Sequence, residues 1–221
     1  MTSHLKVDIN NSDVLILRQK DKVLSQLIGC IGNLTIDLEK DYYSALVKRI
    51  IGQQLSLKST DTIWNRLCKD SDFVSVEYIL EFSDDALRGF GISRAKICYI
   101  KDLTNKVMSS EIELEKLSEL SNEEVTNQLT KVKGIGLWTA EMFLIFSLGR
   151  ENVLSSNDVS IKNAIKWLYQ LGEEGVNWEK YRELWSPSNS LASLYLWEII
   201  NRNIIKDYKN INELNEAQKA K

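Results

Sequence analysis

The segment Val132-Lys133-Gly134-Ile135-Gly136-Leu137-Trp138-Thr139-Ala140 sets two glycines two residues apart at the mouth of an apolar helix. Gly149 closes that helix, and Ser155-Ser156-Asn157-Asp158-Val159-Ser160-Ile161-Lys162 follows. Glycines at that spacing let a chain turn tightly and let another backbone come close. The first turn of the next helix then presents unpaired amides, a favourable seat for a phosphate. Ile135, between the glycines, is expected to pack inward, with Lys131 and Lys133 adding positive charge on either side. A Gly-x-Gly pair by itself is more often an ordinary helix–helix turn with a glycine stop.

Working outward, the period is helical almost throughout. Helices are predicted over Lys22–Ile31, Asp41–Gln54, Leu57–Lys69, Ser75–Glu81, Asp84–Arg88, Arg94–Ser109, Asn122–Lys131, Leu137–Leu148, Val159–Leu171, Trp178–Trp185, Ser190–Asn203 and Ile211–Lys219. Leu5–Ile9 alternates briefly and reads as a short strand; Val14–Leu17 is too short to assign. Leu137–Leu148 is apolar on nearly every face, as expected of a helix inside a bundle. The fold class is therefore all-α.

Composition narrows the function classes. The net charge of −3 does not advertise nucleic-acid binding, so any such contact must rest on local lysines and backbone amides. Three widely spaced cysteines, with no Cys-x-x-Cys and a single histidine, His4, argue against zinc, a four-cysteine cluster or a disulfide framework. There is no signal-like leader and no long apolar run, so no membrane association is expected and the expected compartment is the cytoplasm, on the nucleoid if the source is bacterial.

Asp158 stands 22 residues beyond Gly136, where it reads as the cap of a helix beginning at Val159. Capping and chemistry are compatible. A carboxylate that accepts backbone N–H bonds is favoured in its charged form. A fixed anion stabilises positive charge developing on a sugar and can orient an attacking water.

The stretch from Leu129 to Ala164 resembles the helix-hairpin-helix DNA glycosylases, and within them the 3-methyladenine DNA glycosylase II branch. Gly134-Ile135-Gly136-x-Trp138-Thr139-Ala140 and Asp158-x-x-Ile161-Lys162 carry the likeness. Ile50-Ile51-Gly52-Gln53-Gln54-Leu55-Ser56-x-Lys58, Gly91-Ile92-Ser93-Arg94-Ala95-Lys96, Trp185-x-Pro187 and Leu196-Trp197 extend it from about Asp41 to Asn203. The resemblance implies a two-lobed helical fold with the active-site cleft between the lobes. It implies an N-terminal segment (1–40), a glycosylase domain (41–203) and a polar C-terminal tail (204–221); the polar composition of Asn210–Lys221 leaves that end free to fray. Asp21–Ser121 would supply most of one lobe, and Asn122–Leu171 would carry both hairpin and aspartate.

The resemblance makes Asp158 the catalytic residue and Trp138, Trp197, Tyr42 and Met142 candidates for the base pocket. Tyr42 and Met142, with Tyr43, are weaker candidates than the two tryptophans. Aromatic walls stack on a flipped base and attract the positive charge of an alkylated one. Trp64, Trp167, Trp178 and Trp185 read better as core. Lys131, Lys133, Gly134, Ile135 and Gly136 would meet the DNA backbone. Gln53, Gln54, Ser93 and Arg94 would fill the gap a flipped base leaves, although the same residues also suit ordinary helix ends. A monovalent cation, Na+ or K+, held by the carbonyls of Thr130, Val132 and Gly134 is implied, and no other cofactor.

Trp138 occupies the place where strand-nicking relatives carry a Schiff-base lysine, so water rather than an amine is the expected nucleophile. The expected reaction is monofunctional hydrolysis of the N-glycosidic bond of an alkylated purine in duplex DNA, by a monomer. Two other readings stand beside it: the same chemistry on uracil or an oxidised base, and a non-catalytic hairpin module that only binds DNA. Two positions depart from the family. Lys133 stands where relatives often have proline, which is expected to loosen the turn. Asn189 stands where they often have arginine.

Overall fold

The computed structural model describes residues 2–69, 71, 73–173 and 175–219, with side chains from His4 onward. In chain order it contains β1 (Thr2–Val7), α1 (Ser12–Lys20), α2 (Lys22–Ile31), β2 (Leu34–Glu39), α3 (Tyr42–Gly52), α4 (Leu57–Cys68), α5 (Val76–Leu80), α6 (Asp84–Gly89) and α7 (Arg94–Met108). A 3-10 turn (Leu114–Glu119) leads to α8 (Asn122–Leu129), α9 (Leu137–Phe146), α10 (Val159–Leu168), α11 (Trp178–Trp185), α12 (Asn189–Asn201), α13 (Ile204–Asp207) and α14 (Ile211–Lys219). The fold is all-α but for the small sheet of β1 and β2. No described helix is long and apolar enough to cross a membrane.

Local chemistry sets most helix starts. Ser56, Ser75, Ser83 and Ser93 each accept the third amide of the helix they precede. Ser121 and Glu124 close a reciprocal capping box on α8. The unassigned run Val14–Leu17 lies in α1, where Asn11 caps the helix through the Asp13 amide. Val14 and Leu17, three apart, are buried while Leu15 and Ile16 are exposed, so four consecutive apolar residues hid a helical period. β2 escaped notice because six residues of alternation are a weak signal until β1 supplies the pairing. The helix predicted to reach Asn203 stops at Asn201; Asn203 adopts a left-handed conformation (φ 56°) and α13 restarts beyond it.

The chain packs as two compact units, Met1–Ser3 with Asp37–Gly149 and His4–Ile36 with Arg150–Lys221. This division splits the stretch Asn122–Leu171: the hairpin belongs to the first unit and Asp158 to the second. It also moves Asp21–Ile36 into the second unit, and the reason is polar as well as apolar. Asp21, buried, accepts the Val23 and Leu24 amides at 3.0 Å with one oxygen. Its other oxygen accepts from Trp185 Nε1 at 2.8 Å and from the Tyr169 hydroxyl. Burial first, and then this carboxylate, push the Tyr169 phenol upward. Arg202, just past α12, and Tyr195 within it donate to the carbonyls of Ile31 and Gly32. Ile211 and Leu214 bury one face of α14, which packs on α2.

In the first unit α9 runs through the core. Thr139, Ala140, Met142, Phe143, Leu144 and Ile145 are all buried on this ten-residue helix. It ends where the Ser147 and Leu148 amides both reach the Phe143 carbonyl, and Gly149 (φ 66°) turns the chain away.

Candidate active site and DNA-contact surface

The hairpin of the first unit is built from short local bonds. The Val132 amide donates to Leu129 and the Ile135 amide to Val132, both at 3.1 Å. Val132 and Ile135 are buried, which pins the turn while Lys131, Lys133, Gly134 and Gly136 stay exposed. Gly134 takes φ 79°, and a Cβ there would lie 2.2 Å from the Tyr99 ring. Gly136 has an ordinary φ of −95° and open space where a Cβ would stand. It caps α9 with no side-chain hydrogen bond, as suits amides kept for a ligand.

Lys133 does not loosen the turn. Its amide donates to Asp102 Oδ2 at 2.9 Å, a bond that proline, lacking an N–H, cannot make. Gln53 is likewise not a free probe for orphaned bases: its Nε2 donates to the Gly134 carbonyl at 2.8 Å. That bond also bears on the implied cation. The Gly134 carbonyl accepts one bond from Gln53 and the Val132 carbonyl one from Ile135, and each oxygen keeps a second lone pair.

Gln54, next in the chain, is exposed with a left-handed backbone (φ 58°). Such strain in a non-glycine residue costs about 1–3 kcal/mol and concentrates at functional positions. Leu55 and Leu57 beside it are also exposed, Leu57 by 84%. Sequence reading passed over Leu57; an apolar residue on the solvent face of a first helical turn was the available signal. Ser93 caps α7 through the Lys96 amide, and Arg94 is exposed at its first position.

Of the expected pocket residues in this unit, Trp138 is 43% exposed in the first turn of α9. Tyr42 is half-buried and meets Phe143 edge-on at 5.4 Å. Met142 is buried in the core. Tyr43 is buried against Thr104, and desolvation pushes its phenol up to about 12.

The second unit brings Asp158 and Trp197 together across 39 residues of sequence. Asp158, only 6% exposed, caps α10: Oδ1 accepts from the Ile161 amide at 2.9 Å. Oδ2 accepts from Trp197 Nε1 at 3.3 Å. The packing of α12 on α10 delivers that indole. The carboxylate is thus held on both oxygens beside a half-buried aromatic ring. A sheltered, oriented anion of this kind can stabilise a cationic sugar and direct a water molecule. Asn189, the other departure, is buried and donates to Asn152 Oδ1 at 2.5 Å and to the Arg182 carbonyl at 3.0 Å, so its contacts are internal.

Comparison with known proteins identifies the family. Residues 47–187 match the HhH-GPD superfamily base excision DNA repair protein family. The chain is 32% identical to DNA-3-methyladenine glycosylase 1 of Schizosaccharomyces pombe over 207 residues, 90% of this chain and 88% of that protein. A crystal structure of DNA-3-methyladenine glycosidase from Bacillus halodurans superposes with a TM-score of 0.84 at 33% identity, covering 95% of this chain and 98% of that one. The S. pombe 3-methyladenine DNA glycosylase in complex with abasic DNA superposes with a TM-score of 0.76 at 31% identity, over 85% and 96% of the two chains. By family match, identity and shared architecture, this chain belongs to the HhH-GPD superfamily of base excision DNA repair proteins.

Proposed function

We propose that this chain is a monofunctional DNA glycosylase that hydrolyses the N-glycosidic bond of alkylated purines of the 3-methyladenine type in duplex DNA. The observation that carries the reading is Asp158, buried, capping α10 and bracketed by the Ile161 amide and the Trp197 indole. Its relatives named as 3-methyladenine glycosylases supply the substrate class.

In this reading the amides at the start of α9 hold a DNA phosphate, assisted by Lys131 and Lys133. The Gln54–Leu57 loop and Arg94 fill the gap left by the flipped nucleotide. Trp197, beside Asp158, offers an aromatic face to the extruded base. Asp158 stabilises the oxocarbenium-like sugar as the base departs and orients the water that attacks it. A cationic, alkylated base is already a good leaving group, so no strong general acid is required. The protein acts as a monomer in the cytoplasm and needs no organic cofactor.

Base release from a panel of matched duplexes tests this. Release of 3-methyladenine and 7-methylguanine is expected to outpace that of uracil and 8-oxoguanine. The product strand should stay intact, and borohydride should trap no protein–DNA adduct because Trp138 supplies no amine. Faster release of either neutral lesion than of both alkylated bases overturns the substrate class, and a trapped adduct overturns the monofunctional assignment.

A further inference from the structure

Helix α7 presents Lys96, Tyr99 and Asp102 at three-residue steps, a half-buried stripe beside the core residues Ile97, Ile100 and Leu103. Residues so spaced share one helix face. Each contacts a segment assigned above to DNA. Lys96 Nζ donates to the carbonyls of Ile51 at 2.8 Å and Gln53 at 2.7 Å, placing an ammonium on the negative end of α3. The Tyr99 ring packs against Gly134 closely enough to exclude any side chain there. Asp102 holds the Lys133 amide. Gln53 closes the circuit, since its carbonyl is held by Lys96 while its side chain donates to the Gly134 carbonyl.

We propose that α7 is a strut that locks the Gln53–Leu57 loop and the Lys133–Gly136 turn into one register, with Lys96, Asp102 and Gln53 as its positioning residues. The two segments then meet DNA as one preformed surface. The proposal rests on the reading that both segments touch DNA. Its physical advantage is that ordering two loops costs conformational entropy on binding unless the fold has ordered them beforehand. The family's frequent proline would stiffen the turn locally. Here the stiffness comes from Asp102 and Gln53, which need a free amide at Lys133 and an available carbonyl at Gly134.

The strut predicts action at a distance. Lys96 bonds to the end of α3, yet its loss should loosen the hairpin through Gln53. Three variants of the full chain test this: Lys96→Met, which keeps the aliphatic stem; Gln53→Glu, which keeps the size but removes the donor; and the double variant. Hydrogen exchange is read on the free proteins over the peptide 130–140, and affinity on a duplex carrying an abasic site. In Lys96→Met and Gln53→Glu alike, hairpin amides should exchange faster and affinity should fall about tenfold, the scale of one charge-assisted hydrogen bond. The double variant should be no weaker than the weaker single. Unchanged exchange in Lys96→Met, or losses that multiply in the double variant, overturn the strut. Faster exchange with unchanged affinity overturns its role in DNA binding. The DNA reading fails separately, through Gly136→Ala, which leaves the strut intact.

Discussion

Asp158→Asn is expected to lower single-turnover base excision by at least about a hundredfold to a thousandfold, the scale on which a preorganised electrostatic group acts. Binding to an abasic duplex should stay close to wild type. The structure separates this loss from damage to the fold. Asparagine caps helices about as well as aspartate, so the bond from the Ile161 amide survives. What goes is the charge, together with one acceptor: an amide cannot serve both the Ile161 N–H and the Trp197 indole N–H with oxygen. That local loss is worth about 1 kcal/mol. For a chain of this size it should lower Tm by about 2–4 °C, so the fold persists while activity collapses. A variant that excises at near wild-type rate would show that Asp158 is only a helix cap.

The hairpin glycines should part company on substitution. Gly136→Ala places a methyl group in open space at an ordinary φ, so the free protein should hold its Tm within a few degrees. The same methyl stands where a phosphate must approach the α9 amides. Affinity for an abasic duplex should therefore fall about tenfold to a hundredfold, the cost of losing charge-assisted hydrogen bonds. Gly134→Ala should instead damage the fold. Its φ of 79° is strained for alanine, and the Tyr99 ring occupies the Cβ position. Left-handed strain of about 1–2 kcal/mol and overpacking of about 1–3 kcal/mol act together. The matching loss in Tm is about 4–20 °C. Thermal unfolding and fluorescence anisotropy on the two variants check both statements. A well-folded Gly136→Ala protein with undiminished affinity would reduce the hairpin to an ordinary turn.

The sequence by itself was enough for whatever depends on neighbours in the chain. Helix starts were legible because a serine, aspartate or asparagine and the amide it accepts lie within three residues of each other; α2 and α11 have the predicted bounds. The Gly134–Gly136 turn, the apolar α9 and the cap role of Asp158 were readable for the same reason. Tertiary structure alone decided which distant groups converge. Nothing near Asp158 in sequence announces that Trp197 will reach its second oxygen, since that follows from how α12 packs on α10. Gln53 looked like an exposed amide at a helix end, and only the fold turned it toward Gly134. Lys133 looked like a loosened turn until Asp102, 31 residues earlier, supplied the acceptor. The assignment of Asp21 followed the same rule, because its capping of α2 is local while its bonds to Tyr169 and Trp185 exist only once the second unit has packed. Backbone preferences and caps act over a few residues and leave a pattern in the sequence. Side-chain hydrogen bonds between elements depend on packing geometry, which no short window of sequence contains.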